Sequence, residues 1–145
     1  MSADLIEIWH RRTRPHPSNK DFTVQLGCHF EEVCEMLETL ETEDPNVRNN
    51  LASAHLMMLR VADALKGGAD IHVSDRKEFL DACADQVVTA IGAAYCAGMQ
   101  ATEAIRRVNT SNWSKFDTDG KPIRDENGKI KKGPNYKPPV LDGLY

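Results

Sequence analysis

Phe22, Leu26, Phe30, Val33, Leu37 and Leu40 recur every three or four residues through Glu41. That spacing limits the possible folds more than any other feature, because it lays one apolar stripe along a helix of 3.6 residues per turn. The same period returns in Leu51, Ala54, His55, Met58, Ala62 and Leu65, and again in Phe79, Cys83, Val87, Ile91 and Ala94. A short helix around Asp4 to Arg12 carries Leu5, Ile8 and Trp9 on one side, and another short one is read from about Thr102 to Val108. No stretch longer than a few residues alternates apolar and polar as a half-buried strand would.

The punctuation agrees with this period. RPHPSNK breaks the chain after the first helix, and Asp44-Pro45 supplies an N-cap followed by proline at the first helical position. Gly67-Gly68 closes the next helix, Asp75 and Glu78 have the spacing of a capping box, and Gly98 ends the helix that follows. The expectation is an all-α fold, a four- to five-helix bundle in a single domain spanning 1–145, with a helical core over about 4–108 and a flap and tail over 109–145. Helices of this kind leave apolar stripes uncovered, so a homo-oligomer, a homodimer or tetramer, is expected.

A chain of 145 residues with 41% hydrophobic and 28% charged residues is large enough to bury a core without staples. It contains no apolar run of membrane-spanning length, and MSADLIEIWHRR lacks a signal-peptide core, so a cytoplasmic protein with no membrane partner is expected. The cysteines at 28, 34, 83 and 96 form no CxxC pair. Cys34, Cys83 and Cys96 fall within helical patterns, where a thiol serves as a small hydrophobe. The five histidines make no HxxxH or HxH pair, and His55 lies on an apolar stripe.

Charge is unevenly distributed. Residues 1–105 hold nine Lys and Arg against seventeen Asp and Glu, whereas residues 106–138 hold nine against four. An acidic body therefore carries a basic segment containing Lys115, Lys121, Arg124, Lys129, Lys131 and Lys132 among glycines and asparagines, residues able to approach and hold phosphate. Within the body, EEVCE places Glu31, Glu32 and Glu35 on one helical face. Crowding like charges there costs a few tenths of a kcal/mol per pair unless a cation is bound. Glu78, Asp81 and Asp85 share a face of a later helix, with Gly92 nearby leaving room for something bulky. Two readings stay open from these residues alone: an ordinary solvated face, or oxygen donors for Mg²⁺ beside a phosphate-binding segment.

EEVCE (31–35), then Asp85, then SNWSK (111–115) and the run DGKPIRDENGKIKKGPNYKPP together resemble the MazG-like all-α nucleoside triphosphate pyrophosphohydrolases. The likeness is to the phosphoribosyl-ATP-pyrophosphohydrolase-like branch common in phages and bacteria, and it covers about Ile6 to Leu141. It implies Mg²⁺, with Mn²⁺ substituting, held by Glu31, Glu32, Glu35 and Asp85, with Glu32 or Glu35 accepting a proton from water. It implies Asn112 and Lys115 on the substrate's phosphates, assisted by Lys121 and Lys129, and Trp9 and His10 of IWHRR near base or sugar. The implied reaction converts a nucleoside triphosphate to monophosphate and pyrophosphate, with a purine deoxynucleotide such as dGTP one candidate, and no stable nucleic-acid partner. Three departures stand out. Position 82 is Ala, so Asp81 or Glu78 must complete the second ligand pair; Trp113 replaces the usual Met; and Asn109 stands where His is frequent. The alternative is a nucleotide-binding or nucleic-acid-binding helical protein without hydrolytic activity.

Overall fold

The computed structural model describes residues 3–145 and is all-α, with five helices: α1 (Ala3–Thr13), α2 (Asn19–Glu38), α3 (Pro45–Lys66), α4 (Arg76–Cys96) and α5 (Ala101–Trp113). There is no strand among the described residues, where an isolated antiparallel bridge joins Phe116 and Pro122. No described helix is long and apolar enough to cross a membrane. The chain groups into two compact units. One contains α2, α3 and Arg124–Lys129; the other contains α1, α4, α5, His72–Ile123 and Ile130–Tyr145.

In the first unit, α2 begins with a complete capping box. The Ser18 hydroxyl accepts the Asp21 N–H at 3.1 Å while the Asp21 carboxylate accepts the Ser18 N–H at 3.0 Å. Asp44 caps α3 by accepting from Asn46 and Val47, with Pro45 in the first turn as the sequence predicts. Val24, Gly27 and Cys34 of α2 are buried, as are Ala62 and Leu65 of α3. The α3 pair belongs to the expected stripe, of which Ala54 stays exposed, but the α2 set does not. Phe22, Leu26, Phe30, Val33 and Leu37 are only half-buried and Leu40 is exposed, so the buried face of α2 lies about 100° round the helix from the expected stripe, on the side where Gly27 lets α3 approach. Gly27 is what brings the helices close. A Cβ there would lie 2.8 Å from the Ala62 carbonyl oxygen and 2.9 Å from the Lys66 Cγ. Gly68, at φ +96°, takes the left-handed turn after α3, with the Ala69 N–H bonded back to the Ala64 carbonyl at 2.9 Å.

In the second unit, Asp75 caps α4 through the Lys77 and Glu78 amides, both at 3.0 Å. α4 itself buries no residue, so Cys83 and Cys96, expected among apolar neighbours, are exposed. α5 runs to Trp113, five residues beyond the expected end at Val108. The buried set here is Trp9, Thr13, Asn109, Ser111, Phe116 and Leu144. Residues 137–144 form an ordered strap on α5. The Gln100 N–H bonds the Leu144 carbonyl at 2.9 Å and its amide donates to the Gly143 carbonyl at 3.1 Å, while Arg107 donates to the Val140 carbonyl at 2.8 Å.

The basic segment contains a tandem repeat, DTDGKPIR followed by DENGKIKK. Asp117 Oδ1 accepts the N–H groups of Asp119 and Lys121 at 2.9 and 2.8 Å, and Asp125 Oδ1 accepts those of Asn127 and Lys129, both at 2.9 Å. Gly120 and Gly128, at φ +72° and +85°, occupy the position that requires a left-handed residue. The segment is thus built from two like turns, one in each unit.

Candidate functional site

α2 places the EEVCE carboxylates on one side of the helix, with Glu31 half-buried at its edge and Glu32 and Glu35 exposed. Glu31 Oε1 accepts from Lys66 Nζ at 2.8 Å and its Oε2 from Lys129 Nζ at 3.0 Å, so one carboxylate bridges two ammonium groups. Lys66, in the last turn of α3, also reaches Asp63 at 3.2 Å. The lysine bonds, Lys66 first, hold the Glu31 carboxyl below its usual range, and Glu31 in turn raises both lysines.

The two lysines differ in grip. The Lys66 side chain is only 21% exposed and its stem lies against Gly27, whereas Lys129 is 47% exposed on a turn. A shielded bond to a charged group contributes about 1.5–3 kcal/mol, but an exposed one rarely more than about 1 kcal/mol. Lys66 is therefore the fixed member and Lys129 the exchangeable one. The turn that carries Lys129 is tied to α2 a second time: Arg124 donates to Asp21 at 3.1 Å, ten residues before Glu31 and hence about 15 Å along the helix. Bonds from the Ser18 amide and hydroxyl, with Arg124 adding to them, keep the Asp21 carboxyl below its usual range.

Glu32 and Glu35 are exposed and make no hydrogen bond or ion pair among the described residues. No group of three His, Cys, Asp or Glu side chains converges as a preformed cation cage among the described residues. The donors present are nevertheless the ones Mg²⁺ takes, a few carboxylates left open to water and phosphate rather than a closed protein shell. On the same unit, a cavity of about 520 Å³ lies at the C-terminal end of α2, lined by Leu37, Glu38, Arg48 and Leu51 among others. His55 Nε2 stands 2.9 Å from Glu38 Oε1 beside it, and Glu31 is not part of its wall.

In the other unit, Asp81 and Asp85 are exposed on α4 and their carboxylates are free of hydrogen bonds and ion pairs among the described residues; Glu78 stands 3.7 Å from Lys77. A Cβ at Gly92 would meet nothing within 4 Å, in keeping with the room read from the sequence. Trp9 is 7% exposed and its indole N–H donates to the Asn112 carbonyl at 3.0 Å, so it fixes the end of α5. His10 stands edge-on to Trp9 at 5.0 Å, and burial together with the Arg14 charge lowers its pKa. The Asn112 side-chain amide is free of protein partners among the described residues, and Lys115 is half-buried. Lys121 is exposed on the first turn of the repeat.

The serines of SNWSK hold the strap. Ser111 Oγ donates to the Lys137 carbonyl at 2.7 Å, and Ser114 Oγ accepts the Lys137 N–H at 2.8 Å. Trp113 is half-exposed with its ring 5.4 Å from Phe116. Of the residues predicted for the site, the structure brings Glu31 and Lys129 together in one unit and Trp9 and Asn112 together in the other. Lys66 was not expected from sequence, where a lone lysine in a last helical turn reads as a partner for the helix dipole. The available signal was Gly27, an isolated glycine within a helical pattern, which marks a close approach.

Comparison of the chain with protein-family models, with curated proteins and with solved structures returned no match.

Proposed function

We propose that this chain is a Mg²⁺-dependent nucleoside triphosphate pyrophosphohydrolase, releasing nucleoside monophosphate and pyrophosphate, with a purine deoxynucleotide such as dGTP as a candidate substrate. The observation that carries the reading is the meeting of the acidic EEVCE helix and the basic segment at Glu31, through Lys129. It accounts for the charge asymmetry of the sequence, since a triphosphate with its cation needs both signs at one place.

In this reading Glu31, Glu32 and Glu35 hold the cation, and Asp85 with Asp81 or Glu78 stands as the second ligand pair. When bound, Mg²⁺ supplies positive charge against the phosphate oxygens. One of Glu32 and Glu35, whose exposed carboxylates have no partner among the described residues, takes the proton of a water attacking the α-phosphorus, and pyrophosphate leaves with the α–β bridging oxygen. Lys129, Lys121, Lys115 and Asn112 offer donors to the phosphates. Trp9, with its N–H spent on Asn112, acts through the placement of that residue. A second copy of the chain covers the exposed apolar face of α4, where Leu80, Val88 and Tyr95 are 71%, 67% and 78% exposed.

The test is incubation with each ribo- and deoxyribonucleoside triphosphate in Mg²⁺, with products separated chromatographically. The expected products are monophosphate and pyrophosphate, and Glu35→Gln is expected to lower kcat by roughly 10²–10⁴-fold. Diphosphate and free phosphate as products, or turnover indifferent to Glu35→Gln, would overturn the reading.

A further inference from the structure

Lys66 and Lys129 approach the same carboxylate from two elements distant in sequence, one from the end of α3 and one from the second turn of the DxxGK repeat. Two ammonium groups repel each other, and here they are held together by Glu31 between them, with Asp63 adding a second negative charge on the Lys66 side. The formal charge of these four groups is zero. Lys66 cannot swing away freely, because Gly27 and the Ala62 carbonyl define the groove that its stem fills. The arrangement is a pair of donors, one fixed and one on a turn, converging on a single pair of oxygens. A bridging carboxylate in that position occupies the place that two oxygens of a polyphosphate would take.

We propose that Lys66 and Lys129 form a phosphate-binding pair for which the Glu31 carboxylate is the internal counter-ion, and that a polyphosphate chain displaces Glu31 from them. The assignment rests on the hydrolase reading for its choice of ligand, a nucleoside triphosphate, but its geometry is independent of hydrolysis. It gives Glu31 two states. In the free protein it neutralises the lysines; with substrate it is released from them and joins Glu32 and Glu35 as an open oxygen donor. Substrate and cation would then assist each other, because each removes from Glu31 the partner that competes with the other.

The experiment is calorimetric titration of inorganic tripolyphosphate into the whole chain in EDTA, so that no divalent cation takes part. Glu31→Gln removes the counter-charge and keeps the shape, and is expected to bind tripolyphosphate roughly tenfold more tightly than the unaltered chain. Lys66→Met retains the stem against Gly27 and loses the ammonium; in the Glu31→Gln background it is expected to abolish that gain, while Lys66→Arg keeps most of it. Thermal melts of each variant, read by circular dichroism, establish that folded protein is being compared. Binding by Glu31→Gln no tighter than that of the unaltered chain, or a gain that survives Lys66→Met, overturns the proposal. If the gain appears and depends on Lys66 while no nucleotide is hydrolysed in Mg²⁺, the pair stands and the hydrolase reading falls.

Discussion

Gly27 occupies the middle of α2, where alanine would ordinarily be the better helix former by about 0.5–1 kcal/mol. The structure reverses that preference. A methyl group there would stand 2.8 Å from a backbone oxygen of α3 and 3.1 Å from the Lys66 amide nitrogen, and neither can yield without parting the helices. Forcing a methyl into such a contact costs about 1–3 kcal/mol, and a backbone obstacle places it in the upper part of that range. Gly27→Ala should therefore destabilise by about 1–2 kcal/mol net, a fall in Tm of roughly 3–8 °C by calorimetry. An unchanged or raised Tm would mean that α2 and α3 separate at little cost, and would remove the argument that Lys66 is held in place. At this scale the sequence displayed Glu31 plainly and Lys66 hardly at all. An acidic cluster is visible as a run of letters, whereas a lysine 35 positions away acquires meaning only once two helices have packed.

Capping residues and a sustained apolar period made α2, α3 and α4 legible, because both are local properties of the chain. The same cues stopped short at α5. Asn109-Thr110-Ser111-Asn112-Trp113 has no apolar period and is rich in residues that favour turns, yet it completes the helix. Its support is tertiary: Asn109 and Ser111 are buried, Trp9 bonds the Asn112 carbonyl, and the strap bonds the two serines. The tandem DxxGK turns were present in the sequence as an eight-residue period, but their loop-forming composition concealed that both are ordered by the same aspartate bonds. The strap gives an element-scale prediction. Ser114 Oγ accepts the Lys137 N–H and donates to the Ser111 carbonyl at 2.7 Å, so Ser114→Ala leaves the Lys137 amide without its acceptor. The bond is exposed and water can replace the lost acceptor, so the expected cost is about 0.5–1.5 kcal/mol, confined to the strap. Amide hydrogen exchange should accelerate at Lys137 and Leu144 while α2 and α3 keep their protection; uniform loss across the chain, or none, would count against a locally tethered strap.

For the molecule as a whole, α4 poses the open structural demand. At about 100° per residue, Phe79, Cys83, Val87, Ile91, Leu80, Ala84, Val88 and Tyr95 cover roughly half of its circumference, and Glu78, Asp81 and Asp85 gather on the remaining edge. A helix apolar over so broad an arc belongs in a buried setting, yet none of its residues is buried within the chain. Each large aliphatic or aromatic side chain newly covered contributes about 1.5–3 kcal/mol, so five or six of them supply on the order of 10 kcal/mol against the several kcal/mol lost on association. In the proposed oligomer that balance would favour association at micromolar concentration, with the acidic edge of α4 beside the interface. Light scattering coupled to size exclusion should give a dimer or tetramer for the unaltered chain, and its Tm should rise with protein concentration. Leu80→Glu combined with Val88→Glu places two charges in the apolar arc, where desolvation opposes association, and should shift the mass to that of a monomer with its helical content largely retained. A monomeric mass for the unaltered chain, or an oligomer that tolerates both glutamates, would show that α4 is not the face through which copies join.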